Sequence, residues 1–474
     1  MKLGVALAAS AALFLGGCDM APDFLVPTVA LTARYKEAPS PGDVPLDPSG
    51  QWWKSFRDRT LDGLEAEVEI ANPDLAAALA ANDRALAFAA AAEAGLYPEV
   101  DATGLLSYNR QSNNRPLRSN GQPTYFGANQ ISAQVASYEV DFWGRVRDLI
   151  KQANAQAQAS FDALAQAKLE LHAELATAYI ELRGVDAEAK LLADTIANYQ
   201  AALNLTRTRL AAQIAPPIDV ERAETQLENV KAQAADLLVR RSALEDAIAA
   251  LVGQSASSFK VARTSAQIAL PRRPRAAPAD VLRRRPDVAE SERFIEAANA
   301  NIGVARAAFY PRFTINLLGG SQDTGLNLLT PGNSVYSVGP AVSLPLFDAG
   351  LRKAQLEAAD ASYAQAVATY RSTILRAVKE VEDNLSALRW LGDEARSTAA
   401  AADAAQKAAD MSMALYRDGA SSYLDVVTAQ NAALEAERLV IALHTRQLDA
   451  NVALMLALGG GWSAQASASA SATR

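Results

Sequence analysis

One cysteine and two histidines are all that 474 residues contain of either. A single cysteine excludes an intrachain disulfide. His172 and His444 both fall within helical patterns, so no catalytic triad, zinc site or Cys-His pair can be assembled. Both histidines read as packed or solvated helix residues. No glycine-rich run has the form of a phosphate-binding loop. Net charge is -8 with no basic patch interleaved with aromatics, which argues against nucleic acid as a partner. Aromatics are only 6% of the chain and alanine is abundant, so helices are expected to pack through close contacts rather than bulky side chains. No constellation able to carry chemistry is left, which argues against an enzyme, a cofactor and a bound metal.

The start, MKLGVALAASAALFLGGC, sets Lys2 ahead of an apolar run from Leu3 to Leu15. That run is too short to span a bilayer and is shaped like an export signal. Leu15-Gly16-Gly17-Cys18 resembles a bacterial lipobox, which implies removal of residues 1–17 and acylation of Cys18. An ordinary signal peptide with an incidental cysteine is the other reading. Residues 18–60 carry six prolines, from Pro22 to Pro48, and read as an extended arm. Trp52-Trp53-Lys54-Ser55-Phe56 closes the arm with aromatics able to pin it to a neighbour.

Past the arm, two side-chain periods alternate. A helix is expected over 61–95, with a break at Asn72-Pro73. Tyr97-Pro98 then introduces a strand pair, joined by a long polar loop over 109–127. Ile131, Ala133, Val135 and Ser137 alternate with polar or small neighbours, which predicts a strand. After Trp143-Gly144-Arg145 the apolar positions fall at gaps of three, four or seven, a coiled-coil seam to about Gln213. At 1.5 Å per residue these ~69 residues reach about 100 Å. Pro216-Pro217 forces a turn, and a helix returns over 219–252.

Residues 253–282, rich in Ser, Arg and Pro, read as a linker with little regular structure. Then the pattern restarts. A helix over 283–309 meets Tyr310-Pro311, a strand follows from Phe313, and Tyr336, Val338, Pro340, Val342, Leu344 and Leu346 mark the next. Phe347-Asp348-Ala349-Gly350 opens a second long helix that ends near Gly419, and a helix returns over 424–458. The expected organisation is a first repeat over 61–252, with its hairpin at 98–141 and helical hairpin at 145–252. A second repeat occupies 283–459, with its hairpin at 311–347 and helical hairpin at 351–459. The tail, 460–474, reads as disordered. Stacking each short helix pair beside its long partner predicts a rod about 100 Å long, strands at one end and turns at the other. Gly184 and Gly392 fall near mid-helix in both halves and suggest a shared bend.

Two hairpins give four strands of about 10 to 12 residues, each long enough to cross a hydrocarbon layer at a tilt. Four strands cannot close a barrel, and open edges in lipid leave backbone groups unsatisfied. Pairing with other copies is therefore required. Two copies would give eight strands with a filled interior, so a passage for solutes needs at least three. A soluble hairpin cap on a coiled coil is the alternative.

The run RRRPDVAESERFIEAANANIGVARAAFYPRF (283–313) resembles the signature of TolC-like outer-membrane efflux lipoproteins. Residues 52–56, 138–145 and 344–350 are similar to further motifs of that family, in the same order. The resemblance implies a mainly α fold with a transmembrane β-barrel. A homotrimer would join four strands per protomer into a twelve-stranded barrel in the outer membrane, lipid-anchored through Cys18, above a twelve-helix periplasmic tunnel. Its function would be the exit duct for drugs or other small solutes, docked to a periplasmic adaptor and an inner-membrane pump. Asp19, next to the cysteine, is of a type that retains lipoproteins at the inner membrane in some bacteria; the strands argue against retention here.

By the same resemblance the helix turns form a closed tip. Gln213, Pro216 and Pro217 in the first turn and Gly419 in the second would dock the adaptor. Tyr416, Asp219, Asp425, Ser421 and Ser422 would form the gate, with Tyr416 bonded to Asp219 and three copies of Asp425 meeting at the axis. Asp425 aligns with Asp219, and both are expected at the first position of a returning helix, where capping alone is the competing role. A periplasmic coiled-coil adaptor or scaffold lipoprotein is the other functional class; it would need only one helical hairpin and no membrane-length strands.

Overall fold

The computed structural model describes residues 19–37, 44–45, 50–114, 123–275, 278 and 284–462. Cys18, the export segment and most of the tail lie outside these residues, as do parts of the 109–127 loop and of the linker. The chain falls into two compact units. One comprises Met1–Pro27, Asn82–Ser160 and Ser291–Tyr370, the other Thr28–Ala81, Phe161–Glu290 and Arg371–Arg474.

Helices dominate. α1 (Arg59–Ala71) and α2 (Pro73–Ala94) are separated at Asn72, whose side-chain oxygen accepts from Leu75 N at 2.8 Å and caps α2. α3 (Arg145–Ala211) and α6 (Leu351–Arg417) are each 67 residues long; α4 (Pro217–Leu251) and α7 (Tyr423–Ala457) are each 35. Neither long helix contains a proline, and each contains a single glycine, so nothing in their interiors stops propagation. α5 (Pro286–Ala307) begins later than the sequence suggests, with Pro286 at its first position, where a missing N-H costs nothing. Gly184 and Gly392 do not share a contact. A Cβ at Gly184 would lie 2.5 Å from Thr445 Oγ1, whereas nothing lies within 4 Å of one at Gly392.

In the first unit, β2 (Asp101–Leu105), β5 (Asn129–Val140), β7 (Arg312–Asp323) and β8 (Ser334–Ser343) form an antiparallel sheet in the order β2-β5-β7-β8. The first strand is shorter than expected. β2 stops at Leu105, and β3 (Tyr108–Arg110) pairs separately with β4 (Tyr125–Gly127). Registers such as Ile131↔Ser321, Val135↔Leu317 and Leu317↔Val338 put Ile131, Val135, Leu317, Tyr336, Val338 and Val342 on one face. Thr103, Gln130, Ser132, Gln134, Asn316 and Ser337 occupy the other. Charge is confined to strand ends: Asp101, Glu139, Arg312 and Asp323.

The second unit holds the larger core. A short 3₁₀ turn over Trp52–Phe56 buries Trp52, Trp53 and Phe56 against Leu61, Leu175, Tyr179, Ile248 and Val452. The arm's aromatics are thus pinned to the chain's own helices. The linker is also less featureless than its composition suggests. β6 (Pro274–Arg275) pairs in parallel with β1 (Val44–Pro45) of the arm. Residues 261–264 are held by a buried ionic network: Arg241 Nε donates to Asp186 at 2.8 Å, Nη1 to Glu245 at 3.0 Å and Nη2 to Val261 O at 2.8 Å. Arg183 donates to Asp186 at 3.0 Å and to Ala262 O at 2.8 Å. Farther on, Arg285 binds Asp287 through two nitrogens and reaches Glu380 at 2.6 Å and Ala457 O at 3.1 Å.

His172 is a packed residue with an unusual partner. Its ring stacks on Trp53 at 4.4 Å, and Nδ1 lies 2.6 Å from Glu65 Oε2, both residues being almost fully buried. Burial, with Glu69 and Asp62 nearby, pushes the Glu65 carboxyl up to about 9, and burial with Lys168 nearby pushes His172 down to about 4. The pair is therefore neutral, the protonated Glu65 carboxyl donating a hydrogen bond to imidazole Nδ1. The sign of the pH dependence follows. Unfolding at pH above 6.5 releases the Glu65 proton, so stability falls as pH rises toward 9; between 4.5 and 6.5 the unfolded histidine takes up a proton and offsets the release. Glu65→Gln keeps the donor and removes the carboxylate. Its thermal midpoint relative to the parent is expected to rise between pH 6.5 and pH 9, and an unchanged difference across that range contradicts a neutral pair.

Candidate helix-turn tip

The two helix turns of the second unit are built on one backbone. Ile214 N bonds Arg209 O at 2.9 Å, and Ala420 N bonds Leu415 O at 2.8 Å, the same i to i−5 closure at aligned positions. The left-handed residue that this closure requires is Gly419 in the second turn (φ 79°) and Gln213 in the first (φ 57°). Gln213 therefore adopts the glycine conformation at a cost on the order of 1 to 2 kcal/mol. The N-caps also match: Pro216 has φ −75°, ψ 153° and Ser422 has φ −79°, ψ 155°.

Matching backbones carry different caps. Both aspartates stand at the third helical position rather than the first, since α4 begins at Pro217 and α7 at Tyr423. Ser422 and Asp425 close a capping box: Ser422 N donates to Asp425 Oδ2 at 3.1 Å and Ser422 Oγ accepts from Asp425 N at 3.4 Å. Pro216 has neither an N-H nor a hydroxyl, so no box can form in the first turn. The Asp219 carboxylate is thereby left for another donor, and Tyr416 Oη supplies it at 3.3 Å.

Around that bond the tip is packed. Tyr416, Tyr423 and Asp219 are all buried. Tyr416 meets Tyr423 edge-on at 5.1 Å, and the Arg209 guanidinium sits 4.8 Å over the Tyr416 ring while donating to Arg417 O at 2.9 Å. Burial, reinforced by the Asp219 charge, raises the Tyr416 phenol above its ordinary value, so it stays a donor at neutral pH. Arg222 reaches Asp219 Oδ1 only at 4.0 Å. Asp425 and Ser422 are exposed. Ser421 Oγ has no partner among the described residues.

Arg209 and Tyr423 complete the tip and lie outside the residues that the sequence singles out. Arg209 carries a signal, as a basic residue in the last turn of a helix, where it can bond free carbonyls. Tyr423 carries none, because its aligned position holds Pro217. Between α4 and α7 runs a groove of about 560 Å³ lined by Ile218, Arg222, Gln226, Leu424, Asn431 and Arg438, among others.

Comparison with known proteins bears on this geometry. The model of the outer membrane efflux protein family matches residues 66–254 and 277–460. The probable efflux pump outer membrane protein TtgC of Pseudomonas putida is 32% identical over 459 residues, covering 95% of this chain and 94% of that protein. The solved outer-membrane channel OprN is 27% identical, covers 94% of this chain and 100% of its own, and superposes with a TM-score of 0.85. The outer membrane protein VceC of Vibrio cholerae is 27% identical over 87% of this chain and 99% of its own, with a TM-score of 0.79.

Proposed function

This chain belongs to the outer membrane efflux protein family, and from that membership we propose that three copies assemble into one conduit through which small solutes leave the cell. The chain is a transport protein of the outer membrane and not an enzyme. The observation that carries the trimer is the four-stranded sheet. Among the described residues its outer strands, β2 and β8, are each paired along one edge, and one face is largely apolar while the other bears mainly uncharged amides and hydroxyls, with Leu105 and Leu318 among them. Lipid cannot satisfy an open edge, so the edges pair between copies. Twelve strands leave an aqueous lumen, where eight would be filled. The apolar face meets lipid, and the polar face lines the path.

The two segments matched by the family model, 66–254 and 277–460, with paired helix lengths of 67 and 35 residues, support reading the chain as a duplicated unit. The 1–17 signal, the 18–60 arm and the acylated Cys18 complete the proposal, giving a lipid-anchored channel with a large periplasmic part. An adaptor would seat against the turns at Gln213, Pro216, Pro217 and Gly419, and a pump of the inner membrane would supply the drugs or other solutes.

Tyr416 and Asp219 hold the tip shut. A neutral donor to a carboxylate is worth about 1.5 to 3 kcal/mol, and at 3.3 Å this bond falls toward the lower figure, so three links yield to a docking partner. Three copies of Asp425 at the constriction favour cations. Tyr416→Phe combined with Asp219→Ala is expected to raise single-channel conductance, and Asp425→Ala to weaken cation selectivity and block by multivalent cations. If the double variant conducts like the parent while Asp425→Ala only lowers the thermal midpoint, these residues are caps and the gate lies elsewhere.

A further inference from the structure

The segment just after Cys18 lies in a built cradle within the first unit. Asn299 Nδ2 donates to Pro22 O at 2.7 Å, and Arg306 Nη1 reaches Met20 O at 3.5 Å, both from α5. From α3, Lys151 Nζ donates to Asp19 Oδ2, and it bonds Asp148 Oδ1 at 3.1 Å. Asp19 Oδ1 turns back to accept from Ala21 N at 3.1 Å. Two features are unlike an incidental surface contact. Asn299 and Asp148 are buried, and Asp148 Oδ2 has no partner among the described residues. Gly303 supplies the room: a Cβ there would lie 2.1 Å from Asp148 Oδ2 and 2.7 Å from Ala21 N, so only glycine lets the segment and the carboxylate meet over α5.

We propose that Asp148 and Lys151 of α3 with Asn299, Gly303 and Arg306 of α5 form a receptor for the chain's own residues 19–22, fixing the point from which an acylated Cys18 departs. The inference rests on the proposed acylation and on the sheet lying in the membrane. β5 ends at Val140 and α3 starts at Arg145. Lys151 is six residues into that helix, about 9 Å of rise. Acyl chains carried one residue before Asp19 therefore start close to the end of the sheet, level with the leaflet that the strands enter. Burial pushes the Asp148 carboxyl up to about 6 even with Lys151 beside it, and the ammonium bonds both Asp148 and Asp19. Asp19, free in the nascent chain, is occupied once the protein has folded.

Hydrogen exchange read by mass spectrometry on the purified full-length protein tests the receptor. The Ala21 amide, which donates to the Asp19 carboxylate that Lys151 holds, is expected to exchange at least about tenfold more slowly in the parent than in an Asn299→Ala, Lys151→Gln double variant, with β5 and β7 equally protected in both. Gly303→Ala, which crowds the cradle without removing a donor, should release the same amide. Free-chain exchange in the parent, or equal protection in parent and double variant, overturns the proposal. Intact mass reports acylation separately, so a missing acyl group would count against the anchor and leave the exchange result standing.

Discussion

Arg241→Ala is expected to lower stability by about 3 to 5 kcal/mol, among the largest single-site effects in the second unit. Arg241 is buried and spends three nitrogens on Asp186, Glu245 and Val261 O. Removing it takes one donor from each of two carboxylates and a carbonyl, leaving Arg183 and Thr264 N on Asp186 and Val261 N on Glu245, with Arg183 alone to neutralise Asp186. The cost comes from those stranded acceptors more than from the lost attraction. Arg241→Lys keeps the charge but cannot reach three acceptors in a fixed fork, so it should fall between parent and alanine. The thermal midpoint of the purified protein, with the rate of proteolytic cutting inside 253–275, measures both. An alanine variant with the parent's midpoint and an uncut linker would mean that the network contributes nothing net.

Val338→Arg is expected to abolish accumulation in the outer membrane, whereas Ser337→Arg, one residue away, should be tolerated. Val338 is 68% exposed on the apolar face and pairs with Leu317 in the middle of β7. An arginine facing lipid near the bilayer centre costs about 2 to 4 kcal/mol, and a trimer carries three. The substitution at 337 points to the polar face, where a charge is hydrated. Quantifying each variant in the outer-membrane fraction separates the two. Equal loss, or equal survival, would assign the faces wrongly.

Much of the architecture was legible because it rests on periodicity. The change of period near Asp348 to Gly350, the proline-free helices, and the Pro216-Pro217 stop are local features, and the helices end within a few residues of where those features put them. The first hairpin was less legible. Its alternation suggested long strands, but β2 ends at Leu105 and pairing resumes in the separate β3 and β4, a division set by partner strands rather than by composition. The linker looked featureless because what holds it, Arg183 and Arg241, lies 79 and 20 residues away in sequence. Glu65 and His172, 107 residues apart, each look like ordinary helix positions until the fold buries them together.

At the tip, alignment of the two turns identified Asp219 and Asp425 as equivalent and placed both one turn edge too early. Their equivalence is of backbone only. Pro216 in place of a serine denies Asp219 its capping partner, and that one substitution turns an N-terminal carboxylate into the acceptor for Tyr416. Gln213 shows the converse, a residue chemically unlike glycine that takes glycine's conformation because the closure at Arg209 O demands it.

As a member of the outer membrane efflux protein family, this chain acts as an outer-membrane channel. Single-channel recording of the purified parent protein in planar bilayers addresses that role most directly. Discrete, long-lived conductance steps are predicted, carried by the trimeric fraction and absent from monomer. Protein that binds the bilayer yet passes no stepwise current, even when the tip is loosened by Tyr416→Phe with Asp219→Ala, would contradict the account.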